Sequence, residues 1–184
     1  MELVRELERA AARARAHARP GDRVSAVIAA EPAPGARVYL CAFDDADGYR
    51  SWLALRADGS AVASRTELRA AVSVAALCEV AADAAGGGDL DALIVQLAEL
   101  REREAPEGIE AAEAAARRLR EVVADPPQLA TPERLDAIGA ATRELERALD
   151  PSGASPFAAA MRAAQAAVAE LAREVEAGYR LPLV

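Results

Sequence analysis

Residues 39–59, YLCAFDDADGYRSWLALRADG, gather the side chains best equipped for chemistry. Tyr39, Phe43, Tyr49 and Trp52 fall here, in a chain with only one Trp, three Tyr and two Phe. Cys41 and the carboxylates of Asp44, Asp45 and Asp47 lie among them. Two chemistries suit this set. Carboxylates on a tight turn suggest a calcium loop, and aromatic faces beside Arg50 suggest a platform for a planar ligand or a partner's apolar side chain.

The calcium reading fails on spacing. With Gly48 as the loop's sixth residue, Phe43 takes the first ligand position and Ala54 the twelfth, and neither offers a side-chain oxygen. Asp and Gly are then the ordinary residues of a tight turn. The aromatic reading stands in three forms: a small core, a partner or dimer surface, or a pocket wall. Tyr39, Phe43, Arg50 and Trp52 are its candidate residues.

Other reactive groups are sparse. His17, Cys41 and Cys78 are the soft metal ligands, and no C-x-x-C or H-x-x-x-H spacing joins them. A nucleophile–histidine arrangement would rest on His17 alone. Glu99 with Glu102 and Glu110 with Glu113 form ExxE pairs of the kind that hold magnesium in all-helical nucleotide hydrolases. Their arginine-rich setting reads more simply as salt-bridged helix surface. No metal, cofactor or catalytic residue is therefore expected. Arg5, Arg9 and Arg13 make a separate stripe along the first helix.

The elements that position these residues follow from periodicity. Leu3, Leu7, Ala10, Ala14 and His17 predict a helix over 2–18. Three strands are expected next, at 24–30, 37–43 and 49–56, with Ala61–Ser64 as a short fourth. Pairing Asp44 with Tyr49 would put Tyr39, Cys41 and Phe43 on one face with Arg50, Trp52 and Ala54. Val38, Leu40 and Ala42 would share the other with Ser51, Leu53 and Leu55. Neither face is polar, so the sheet needs two covers, the first being a helix over 66–85.

Gly86-Gly87-Gly88 then marks a boundary, dividing the chain into 1–85 and 86–184. Helices follow at 90–104, 107–124, from Thr131-Pro132-Glu133 onward, and from Ser155-Pro156 onward. Asp125-Pro126-Pro127 and Asp150-Pro151-Ser152-Gly153 separate them. Apolar residues recur at three and four, ending with Phe157, Met161, Ala164, Val168, Leu171 and Val175, which predicts near-parallel bundle packing. The expected fold is α+β: a helix and a three- or four-stranded antiparallel meander, then a mostly antiparallel four-helix bundle.

Charge sets the partners. The net charge is −8 and the pI near 4.8, which disfavours nucleic acid and anionic membrane alike. The chain has no lysine and no asparagine, a bias expected of a GC-rich bacterial genome. A lysine nucleophile and a P-loop lysine are thereby excluded. The first residues carry acids and no long apolar run, so no secretory signal is read and a cytoplasmic protein with reduced thiols is expected. The leading functional expectation is a non-catalytic interaction or assembly protein that pairs with itself or another protein, through the Trp52 face and through Phe157 and Met161 on the last helix. The alternatives are a regulatory domain that binds a small molecule on the aromatic face and, behind it, a carboxylate- and magnesium-dependent hydrolase.

Overall fold

A computed structural model describes residues 2–86, 89–104, 106–123 and 128–180. The elements run α1 (Glu2–Arg15), β1 (Arg23–Ala30), β2 (Val38–Asp44), β3 (Arg50–Arg56), α2 (Arg65–Ala84), α3 (Leu90–Glu104), α4 (Ile109–Val123), α5 (Pro132–Leu149) and α6 (Pro156–Ala177). This is the α+β class that the periodicity predicts. Glycines 87 and 88, the Asp125-Pro126-Pro127 stop and the apolar Leu181, Leu183 and Val184 lie outside the described residues.

Two compact units form, and they interleave along the sequence. The first takes the described residues of Met1–Ala76, Pro127–Pro132 and Ala166–Val184, the second those of Leu77–Pro126 and Glu133–Gln165. The expected division is a single one, at 85/86; here α2 and α6 each contribute to both units.

The first unit is built on an antiparallel sheet in the order β1-β2-β3. Its β2–β3 register differs from the expected one by a single residue: Asp44 sits opposite Arg50, Phe43 opposite Ser51, Cys41 opposite Leu53 and Tyr39 opposite Leu55. The turn therefore holds residues 45–49. Asp45 Oδ1 accepts the N–H groups of both Asp47 and Tyr49 at 2.9 Å, and Gly48 takes the left-handed conformation that this loop requires, φ 83°. Because side chains alternate, one extra turn residue moves every β3 side chain to the opposite face. Tyr39, Cys41 and Phe43 thus share a core with Leu53 and Leu55, covered by Ala10 and Ala14 of α1 with Leu3 and Leu7 beside them. Trp52 and Ala54 move to the face of Val38, Leu40 and Ala42. α2 is tied to that face by Arg56, which holds Glu67 at 2.7 Å.

Both sheet edges are occupied. On β1, Ala130 donates to Ala29 O at 3.0 Å and accepts from Glu31 N at 2.8 Å. On β3, Trp52 N donates to Gly178 O at 3.0 Å and Arg180 N donates to Trp52 O at 2.8 Å. The expected fourth strand is reduced to one bridge between Leu55 and Ala61. Arg180 completes a clamp: its guanidinium lies 4.6 Å from the Phe43 ring centroid and holds Asp22 at 2.5 Å. Natural sheets guard open edges in this way because unpaired N–H and C=O groups invite other strands.

In the second unit one core draws on α2 through α6, with Ala81, Leu97, Leu119, Ile138 and Phe157 among its buried members. α3 and α4 run antiparallel, since Asp91 near the start of one meets Arg120 near the end of the other at 2.7 Å, and Arg101 meets Glu113 at 2.9 Å. Thr142 of α5 is buried and satisfies its hydroxyl on Ile138 O at 2.7 Å. α6 departs from its expected stripe: Leu171 is exposed, and Ala172 is buried with Val168 and Val175. A 3.6-residue turn drifts off a strict seven-residue repeat, and Ala172 takes the place that the pattern gave Leu171.

Candidate functional site

The residues singled out from the sequence do not form one site. Tyr39 and Phe43 are core, at 5% and 0% exposure. Arg50 is exposed and grips Asp44 with two nitrogens, at 2.8 and 3.2 Å. Trp52 is half-buried on the opposite face from Tyr39 and Phe43, which corrects the expected aromatic platform. Its cause is the turn length given above. Tyr49 alone of the four aromatics faces water, 75% exposed.

The carboxylate pairs are likewise committed elsewhere. Glu113 is buried between Arg101 and Arg117, at 2.9 and 2.7 Å. Glu99 is exposed beside Arg103. Among the described residues, no three His, Cys, Asp or Glu side chains gather as a metal ion requires. Both cysteines are buried and neither is in a disulfide, and burial pushes the Cys41 thiol up to about 12. Among the described residues, no helix is long and apolar enough to cross a membrane.

Two of the candidate residues do converge, on the α5–α6 hairpin. Its turn, Asp150-Pro151-Ser152-Gly153, is held by Asp150 Oδ1, which accepts Ser152 N–H at 3.1 Å. α6 then starts on Ser155, whose Oγ accepts Ala158 N–H at 3.0 Å. Glu146 of α5 reaches across, accepting Phe157 N–H at 2.9 Å and the Ser155 hydroxyl at 2.5 Å. Free amides at a helix N-terminus favour such an anion, so Glu146 fixes the angle of the hairpin.

Two open hollows flank this lock and share Arg143. One, of 430 Å³, has Leu149, Ala154 and Pro156 in its wall, with Arg147. The other, of 330 Å³, takes Leu135, Phe157 and Met161, with Asp136 and Arg162. Gly139 shapes the second. A Cβ there would lie 3.2 Å from Arg143 Nη1 and 3.4 Å from Phe157 Cε1, so its absence lets guanidinium and ring lie over the helix. Leu149 is 51% exposed although its spacing reads as seam. Among the described residues Arg143, Arg147 and Arg162 have no ion pair, while Glu146 and Asp150 are already accepting hydrogen bonds. The result is an apolar floor ringed by charges of both signs, Arg143, Arg147 and Arg162 with Asp136, Glu146 and Asp150.

Sequence periodicity picks out Phe157 and Met161 and sets Leu149 in the stripe of α5, but gives no sign of Arg143, Arg147 or Arg162. The one available signal was Gly139, an isolated glycine inside a helical pattern. Comparison with known proteins brings no relative to this surface: no family model, no curated protein and no solved structure matches the chain.

Proposed function

We propose that this is a non-catalytic protein-interaction protein, and that the α5–α6 hairpin is its contact surface. The observation that carries the reading is the pair of open hollows sharing Arg143, with apolar side chains in their walls and, around them, three arginines that have no ion pair among the described residues. Protein interfaces concentrate their energy in such places, where an apolar anchor is buried inside a polar rim. The rim asks for a partner segment with an apolar side chain flanked by carboxylates. A second copy of the chain offers carboxylates, with 30 Asp and Glu against 22 Arg, so self-assembly is the first form to test.

Light scattering on the native protein across a concentration series tests it, beside a variant carrying Leu149→Glu and Arg147→Glu. The expected result is a two-chain mass that falls to one chain in the variant, with unchanged circular dichroism. A one-chain mass at every concentration removes the homodimer. A photo-crosslinker at position 149 that captures neither a second copy nor any acidic protein in cells removes the reading as a whole.

A further inference from the structure

A separate cleft lies in the first unit, where α1 crosses the sheet beside the turn after β3. It measures 160 Å³ and is lined by Glu6, Arg9, Ala10, Arg13, Tyr39 and Ala57. A water takes up about 30 Å³ of liquid, so the cleft has room for about five waters, enough for one carboxylate or phosphate group. We propose that it binds an oxyanion, the carboxylate or phosphate group of a small ligand, between Arg9 and Arg13.

The hydrogen-bond inventory points there. Arg9 uses only Nε, donating to Arg5 O at 3.3 Å, and its terminal nitrogens meet no acceptor among the described residues. Arg13 gives one N–H to Ala57 O at 2.6 Å and has no ion pair among them. The surrounding carboxylates make their hydrogen bonds to other groups, and Glu6 and Asp58 act on Arg9 and Arg13 through charge alone. Glu6 Oε2 accepts the Tyr39 hydroxyl at 2.9 Å and Arg37 Nη1 at 2.8 Å. Glu31 accepts Gly35 N–H and Arg37 Nε, both at 2.9 Å. Asp58 accepts the Ser60 N–H at 2.8 Å and hydroxyl at 2.7 Å. Guanidinium donors thus outnumber the acceptors left to them.

The geometry is also preset. Arg13 lies against Gly59, where a Cβ would come within 3.2 Å of its Cδ, and the Ala57 carbonyl holds its tip. Two guanidiniums set four residues apart on one helix present planar, fork-like donors to one cleft, the arrangement that suits carboxylate and phosphate oxygens. Tyr39 serves as a support: by donating to Glu6 it keeps that carboxylate turned to Arg37.

Calorimetric titration of the full chain with inorganic phosphate and with acetate, each against chloride at constant ionic strength, tests the site. Saturable heat with at least one of them is expected, and which one assigns the group recognised. Arg9→Gln should weaken it tenfold or more. Arg5→Gln, on the same stripe but outside the cleft, should leave it unchanged. Absence of saturation with both anions overturns the proposal, as does equal weakening in the two variants, which would reduce the effect to diffuse surface charge.

Discussion

At the scale of single residues, the side chains that look reactive are held inert by their surroundings. Cys41 is fully buried, and desolvation alone raises its thiol to about 12. Near neutral pH the native protein should therefore leave Cys41 unmodified by iodoacetamide, with labelling appearing only as urea unfolds the chain; peptide mapping reads this directly. Asp22 shows the opposite shift. The Arg180 guanidinium, helped by the Arg19 N–H, holds its carboxyl below the usual range. Arg180 itself is 10% exposed over the Phe43 ring, so removing its counter-charge leaves a cation confined against an aromatic core. Asp22→Asn should lower the urea midpoint, and more than the same change at exposed Asp47, which has no ion pair among the described residues.

At the scale of elements, most of the fold was legible. Helices announced themselves by apolar spacing and by their start signals: Ser155-Pro156 predicted an N-terminus, and Ser155 Oγ caps it. Loss of that cap in Ser155→Ala should cost about 1 kcal/mol, read by chemical denaturation. The β2–β3 register was not legible. It turns on whether four or five residues make the turn, and Asp45, by accepting two backbone N–H groups with one oxygen, selects five. Hydrophobic pattern gave no correction, because both faces of this hairpin are apolar and either register buries leucines. The candidate contact surface was half legible for a related reason. Phe157 and Met161 belong to a helical stripe that sequence displays, whereas Arg143 and Leu149 gain their roles from a hairpin angle set by Glu146, a contact between helices that spacing does not encode. The corrected register has its own check. Trp52 should report on the strand beside it: ending the chain after Ala177 should shift its emission to longer wavelength.

At the scale of the whole molecule, ion pairs make stability depend on pH. Tyr39 and then Arg37 lower Glu6; the Gly35 N–H and then Arg37 lower Glu31; Arg50 lowers Asp44; Arg180 lowers Asp22. Below the ordinary carboxylate range the unfolded chain takes up protons that the folded one resists. Stability is thus complete above that range and is lost as pH falls through the depressed values. Burial raises Tyr39, Tyr179 and Cys41, so on the alkaline side stability is complete below their ordinary values and is lost as pH rises through the raised ones. Urea midpoints at constant ionic strength should form a plateau around neutrality that falls on both sides.

The pairing of Gly178 and Arg180 with Trp52 also sets an order of events during synthesis. A ribosome that has delivered residues through 165 has released every segment of the second unit, while β3 still lacks its neighbour and Asp22 its counter-charge. Nascent chains commonly fold from the N-terminus onward; here the β3 edge of the N-terminal sheet waits for residues 178–180. Until then that edge is open, and a truncated chain ending at 165 should yield to protease first within the meander.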